Sequence, residues 1–236
     1  MIDNKKILGI IPARSGSKGL KKKNLINLDG YPLIYWPIKA FQESKYIDEF
    51  VLSTNSKKIA KVANEFNCKT PFLRPEKISK DNSSSISTVI HAINFYKKKN
   101  FVFDYIVLLE PTSPLTDCKD VDKAIKRLHN NRKNSESIVG ISKNISFHPD
   151  FNVKLNKNGL INFKNSLTHK RRQKLSELYF FDGSLYISKV DVILKKKTFY
   201  HKKTLGYVTP KWKSLEIDDM TDYICVNALK KREQKL

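Results

Sequence analysis

Ile7-Leu8-Gly9-Ile10-Ile11 runs without a polar residue and stops at Pro12. A strand with one wet face alternates apolar and polar residues; a strand with no polar position must be covered on both faces. A mostly parallel sheet with helices on either side meets that condition. The segments that follow fit it. Leu33–Phe41 has helical spacing, with Pro32 placed to open it. Phe50–Ser53 reads as a second strand. Ile59, Val62, Ala63 and Phe66 recur at helical spacing, behind Asn55 or Ser56 as a cap. Ile86–Tyr96 reads as a helix after a serine cluster, and Tyr105–Leu109 as a strand. Val121, Ala124, Ile125 and Leu128 mark another helix, and Ser137–Ile141 another strand.

The alternation predicts a Rossmann-like α/β fold whose ligands bind beyond the carboxyl ends of the strands. It breaks after Ser142. Asn144–Asn165 reads as short antiparallel strands turning at Asn158-Gly159, and Thr168–Lys174 is basic. Gly183–Ile187 returns to strand and Thr221–Glu233 closes the chain as a helix. With 236 residues and no internal repeat, the expectation is one domain over 1–236, with 143–178 a small antiparallel arm inserted in it.

Hydrophobic residues at 40% suffice for a core and exclude a mainly disordered chain. Lys+Arg 45 against Asp+Glu 23 gives +22, which favours nucleic acid, anionic lipid or phosphorylated small molecules without choosing among them. Much of the excess is short lysine runs such as Lys97–Lys99 and Lys195–Lys197, which a solvated surface also explains. Cys68, Cys118 and Cys225 form no CxxC pair, which argues against zinc and for a reducing compartment. No apolar run approaches the ~20 residues needed to span a bilayer. No signal-peptide pattern precedes the first strand, so a cytoplasmic protein without a membrane partner is expected.

The first chemical signal is the loop Ala13-Arg14-Ser15-Gly16-Ser17-Lys18-Gly19, followed by Lys23 and Asn24. Small residues let backbone N–H groups approach an anion, and Arg14, Lys18 and Lys23 add charge suited to a polyphosphate. It is neither a Walker A loop nor a dinucleotide fingerprint; the bland alternative is a flexible basic loop. Arg74 before Pro75 is either functional or a surface arginine. Ser83–Ser85 is a site or only a helix cap. Pro111-Thr112-Ser113-Pro114 is a plain turn or a site at a strand's carboxyl end. Glu216 and Asp218 alternate around Ile217, so on a strand both carboxylates share one face, which suits Mg²⁺. Asp219 and Asp222 make an acidic helix start the alternative. His91 and His148 read as structural.

These segments, with Leu108-Leu109-Glu110-Pro111-Thr112-Ser113-Pro114-Leu115, Arg171-Arg172-Gln173 and Asp182-Gly183-Ser184-Leu185-Tyr186-Ile187, occur in an order that resembles the acylneuraminate cytidylyltransferases (CMP-sialic acid synthetases) from about residue 7 to 228. The resemblance implies transfer of CMP from CTP to a nonulosonic sugar acid, with release of pyrophosphate. It implies that Arg14 and Lys23 hold the triphosphate with Ser15, Gly16, Ser17 and Lys18, and that Ala13, Asn24, Arg74, Ser83 and Ser85 hold the nucleoside. It further implies sugar contacts from Glu110, Arg172, Gln173 and Asp182, magnesium on Glu216 and Asp218, and catalytic weight on Arg14, Lys23 and Asp218. A homodimer is implied, in which Arg172 reaches the partner's site. Three positions depart from the family pattern: Glu110 replaces its usual Gln, Asp182 its usual Asn, and Glu216 its usual Asp. An ionised carboxylate accepts hydrogen bonds but cannot donate, so the first two bear on which sugar is read. Two alternatives stay open: a sugar-acid transferase using GTP or a shorter sugar, and a basic nucleic-acid binder. Against the binder, no recognition motif or exposed stacking pattern is present.

Overall fold

The computed structural model describes residues 1–16, 19–145, 148–162 and 175–233. Its centre is a six-stranded sheet in the order β10-β6-β9-β5-β1-β4, where β1 is Ile7–Pro12, β4 Glu49–Ser53, β5 Tyr105–Leu108, β6 Ser137–Lys143, β9 Tyr179–Lys189 and β10 Thr204–Val208. β1 pairs in parallel with β4 and β5, and β10 in parallel with β6. β9 runs antiparallel between β5 and β6.

The unbroken apolar run does what its composition demands. Ile7 and Ile11 join one buried cluster with helices α1 (Tyr35–Glu43), α2 (Lys57–Glu65) and α4 (Cys118–Asn130). Leu8 and Ile10 join a second, on the other face, with α3 (Ser85–Lys98) and α5 (Val190–Lys196). All four side chains are fully buried, each contributing about 1.5–3 kcal/mol. A third cluster seats α6 (Met220–Glu233) through Val226 and holds Leu28, Leu115 and Ile217.

Two local expectations need correction. Pro32 does not open α1. It lies in β3 (Tyr31–Pro32), paired with β2 (Asn27–Leu28) across an Asp29-Gly30 turn in which both residues have positive φ. The helix therefore starts at Tyr35, and Pro37 falls in its first turn, where a missing N–H costs nothing. The carriers of Glu216 and Asp218 form no strand; residues 215–218 are irregular backbone. Fully buried Ile217 still divides the two acids. The cap expectations agree: Ser56 caps α2 and Ser84 caps α3. In the arm, β7 (Lys154–Leu155) and β8 (Ile161–Asn162) pair antiparallel around Gly159, whose φ is +77°.

Candidate active site

A cavity of about 620 Å³ opens at the carboxyl ends of β1 and β5. One side is built by the chain leaving β1. Ala13 N–H donates to the Ser53 carbonyl at 2.9 Å, and Ser15 N–H to Asn55 Oδ1 at 2.9 Å. Asn24 Nδ2 donates to the Arg14 carbonyl at 2.8 Å. These ties hold Arg14 and Gly16 at the cavity, where Lys23 and Asn24 join them. Ser17 and Lys18 lie outside the described residues, as do Arg172 and Gln173.

Among the described residues, four basic and four acidic side chains line the space: Arg14, Lys23, Arg74 and Lys80 against Asp81, Glu110, Glu216 and Asp218. Arg14 pairs with Asp81. Lys23 Nζ donates to Asp218 Oδ1 at 2.9 Å and to the Ile217 carbonyl at 3.0 Å. Arg74 is 6% exposed, and among the described residues its guanidinium has a partner only at Nη1, Thr88 Oγ1 at 2.9 Å. Its Nε and Nη2 are buried without a hydrogen-bond acceptor among the described residues. Burial, and then the charge of Arg14, push its guanidinium down to about 10. Such donors are costly to leave unpaired, and the residue that carries them lines the cavity.

The acidic wall is shaped by one glycine. Gly183 has φ +65°, and a Cβ there would stand 1.5 Å from Glu216 Oε1. The bare backbone admits that carboxylate, which also accepts from Ser113 Oγ at 3.2 Å. Burial, and then the charge of Glu110, push Glu216 up to about 7. Glu110 accepts from Ser85 Oγ at 2.9 Å and is likewise raised, first by burial. Because Ser84 takes the capping role, the Ser85 hydroxyl is free for this contact. Gly19 brings the end of the first loop against the Asp218 carbonyl, 2.1 Å from a Cβ built there.

Asp182 is placed differently. It is 2% exposed and is not part of the cavity wall. Its carboxylate accepts from Ser184 N–H at 3.1 Å, Ser184 Oγ at 2.6 Å and Ser142 Oγ at 3.1 Å, and also from Thr209 Oγ1. A register shift between Val139 and Ile141 makes the room: a Cβ on Gly140 would lie 2.5 Å from Asp182 Oδ1. The cavity thus gathers Arg14, Gly16, Lys23, Asn24, Arg74, Ser83, Ser85, Glu110, Glu216 and Asp218. Ala13 is buried and Ser15 exposed beside it. Sequence reasoning missed Lys80, Asp81 and Thr88 as wall residues. Asp81 stood next to the serine cluster, but nothing local pointed it at Arg14.

The family model for cytidylyltransferases matches residues 8–234. The chain is 33% identical over 236 residues to the CMP-N,N'-diacetyllegionaminic acid synthase of Legionella pneumophila, covering 98% of each. It is 30% identical to the N-acylneuraminate cytidylyltransferase of Escherichia coli, covering 98% of this chain and 54% of that longer protein. Against the pseudaminic acid cytidylyltransferase of Campylobacter jejuni it is 29% identical, covering 92% and 93%. A solved CMP:2-keto-3-deoxy-manno-octonic acid synthetase complexed with CTP shares the fold, with a TM-score of 0.70 at 16% identity over 97% of this chain and 99% of that one.

Proposed function

Because the chain belongs to the cytidylyltransferase family, we propose that it joins CMP from CTP to a nonulosonic acid. The anomeric oxygen of the sugar bonds to the α-phosphorus, the bond from that phosphorus to the β-phosphate's bridging oxygen breaks, and pyrophosphate departs. The hydroxyl proton passes to water or a cavity carboxylate. The observation that carries the reading is one cavity that gathers Arg14, Lys23 and Arg74 beside the carboxylates Glu216 and Asp218.

Each group has a task. Arg14 and Lys23 neutralise the triphosphate, and phosphate competes with Asp81 and Asp218 for them. Arg74, on the cavity lining with donors to spare, serves the acceptor edge of cytosine. Glu216 and Asp218 offer hard oxygen donors that fit magnesium, which binds through one or two carboxylates, substrate phosphate and water. No cluster of three or more His, Cys, Asp or Glu side chains suited to a metal occurs among the described residues, so substrate oxygens would complete the shell. When bound, the metal supplies charge stabilisation to the phosphates.

For the sugar, Glu110 at the cavity favours a substrate that presents hydrogen-bond donors. A diamino nonulosonic acid, with an extra acylamino N–H, fits that chemistry, and the legionaminic acid synthase among the relatives supports it. The site works within a homodimer, supported by apolar Leu155, Leu160, Ile161 and Phe181 standing exposed on the arm and the near end of β9. The three free cysteines suit the cytoplasm, and no helix among the described residues is long and apolar enough to cross a membrane.

Pyrophosphate release from CTP, GTP, ATP and UTP, each against sialic, legionaminic, pseudaminic and eight-carbon sugar acids, tests the reading. CTP with a nine-carbon acid should be turned over fastest. A preference for GTP or for the eight-carbon acid would overturn it, and no release with any pair would return the basic surface to nucleic-acid binding.

A further inference from the structure

Lys213 lies in a 3-10 turn, Lys211–Ser214, and is only 7% exposed. Its ammonium donates to Asp117 Oδ2 at 2.7 Å and to Asp120 Oδ2 at 2.5 Å. Those two acids form the capping box of α4: Asp120 N–H donates to Asp117 Oδ1 at 2.9 Å, and Asp117 N–H to Asp120 Oδ2 at 3.2 Å. Tyr207 on β10 donates its hydroxyl to Asp120 Oδ1 at 2.9 Å. The ammonium therefore ties a helix start to the turn that leads into Leu215–Asp218, and the Tyr207 hydroxyl ties the edge strand to the same carboxylate.

Buried ion pairs seldom add stability over well-packed apolar side chains of the same volume, and their best-attested use is to specify one register. Here the register matters. Downstream of the clamp, Ile217 N–H donates to the Thr112 carbonyl at 2.8 Å, and the Ile217 side chain is fully buried. The backbone is pinned at Lys213 and again at Ile217, with Glu216 between the two pins. Lys213 itself does not line the cavity.

We propose that Lys213 is a positioning residue: held between Asp117 and Asp120, it fixes the path of residues 215–218 and so the points at which Glu216 and Asp218 present their carboxylates. The inference rests on the reading that this acidic pair serves the transfer. It separates two uses of charge in this chain, since Lys23 binds at the cavity and Lys213 acts only through the backbone that follows it.

The test compares Lys213→Met, Lys213→Arg and Lys213→Met combined with Asp117→Asn and Asp120→Asn, which removes the stranded carboxylates should the single variant fail to fold. Amide exchange over residues 211–219 is read beside kcat and the KM for CTP. In the methionine variants, exchange there should rise about tenfold while β1 and α3 keep their protection. The kcat should fall by up to about 10²-fold, the scale for misplacing a reacting group by an ångström, with KM for CTP changed less than about threefold. Lys213→Arg should recover much of the kcat. Unchanged exchange in a folded methionine variant would overturn the clamp, as would wild-type kcat in one whose 211–219 exchange has risen. Full activity in Asp218→Asn would instead overturn the reading of the acidic pair, and the exchange result alone would then judge the clamp.

Discussion

A side chain's identity and its surroundings contribute separately to this site. Gly30 and Gly183 both have positive φ, +88° and +65°, but a Cβ on Gly30 meets nothing within 4 Å whereas one on Gly183 meets Glu216. Gly30→Ala should therefore cost only the left-handed strain, ~1–2 kcal/mol, with kcat unchanged. Gly183→Ala should cost at least as much and also displace Glu216, lowering kcat ~10–10²-fold. Thermal melts and steady-state kinetics on the pair check this; equal kcat values would mean that the seat of Glu216 is not critical. Asp218→Asn removes one charge from a largely exposed carboxylate whose partner is Lys23. Its kcat should drop ~10²-fold with little change in melting temperature. Glu110→Gln should move the ratio of kcat/KM values towards N-acetylneuraminate by ~1–3 kcal/mol, as one mismatched polar contact is relieved. An unchanged ratio across the sugar panel would show that Glu110 does not read the sugar. Asp182 enters no such prediction: its donors are all internal, and the acid at that position serves the bulged joint between β6 and β9.

Among the elements, caps and register do different work. Ser56 Oγ accepts from Ile59 N–H at 3.3 Å and closes the start of α2, and Ser56 is not part of the cavity lining. Ser56→Ala should cost ~0.5–2 kcal/mol, a loss of roughly 2–4 °C in Tm per kcal/mol for a domain of this size, and leave kcat alone. A kcat change larger than the stability change would imply that α2 transmits to the first loop through Asn55, whose Oδ1 accepts from Ser15 N–H. The start of α4 carries more than its own helix. Its cap residues Asp117 and Asp120 hold Lys213, so a helix terminus is coupled to the turn before the acidic pair. The antiparallel β9 has a comparable reach. It brings Asp182, Gly183 and Ser184 across from β5 to β6, and Ser113 Oγ donates to the Gly183 carbonyl at 3.1 Å to lock it to the turn after β5.

At the scale of the molecule, the chain carries +22 charges, which attract anions, and leaves Leu155, Leu160, Ile161 and Phe181 exposed. Sedimentation at assay concentration should give a symmetric dimer; a fully active monomer would reject it. Mixing an Arg172→Ala chain with an Asp218→Asn chain should restore activity that neither has alone, because one hybrid site is then intact. No recovery would place Arg172 in its own subunit's chemistry or outside it. Arg172 itself lies beyond the described residues, so this prediction rests on the family resemblance and the arm's composition.

What the sequence determined by itself is local and periodic. The apolar run at Ile7–Ile11 demanded cover on both faces, and helical spacing located α2, α3 and α4. The order of the motifs brought Arg14, Lys23, Arg74, Glu110, Glu216 and Asp218 under one heading, since each is recognisable beside its neighbours. Tertiary structure decided whatever depends on partners distant in the chain. The direction of β9 and the place of β10 beside β6 follow from strand pairing that no local period encodes. So do the contacts of Lys23 with Asp218 and of Lys213 with Asp120, across 195 and 93 positions. Asp182 shows the limit most plainly. The family resemblance implied a sugar contact there, but a carboxylate goes where its donors are, and folding placed Ser142, Ser184 and Thr209 around it.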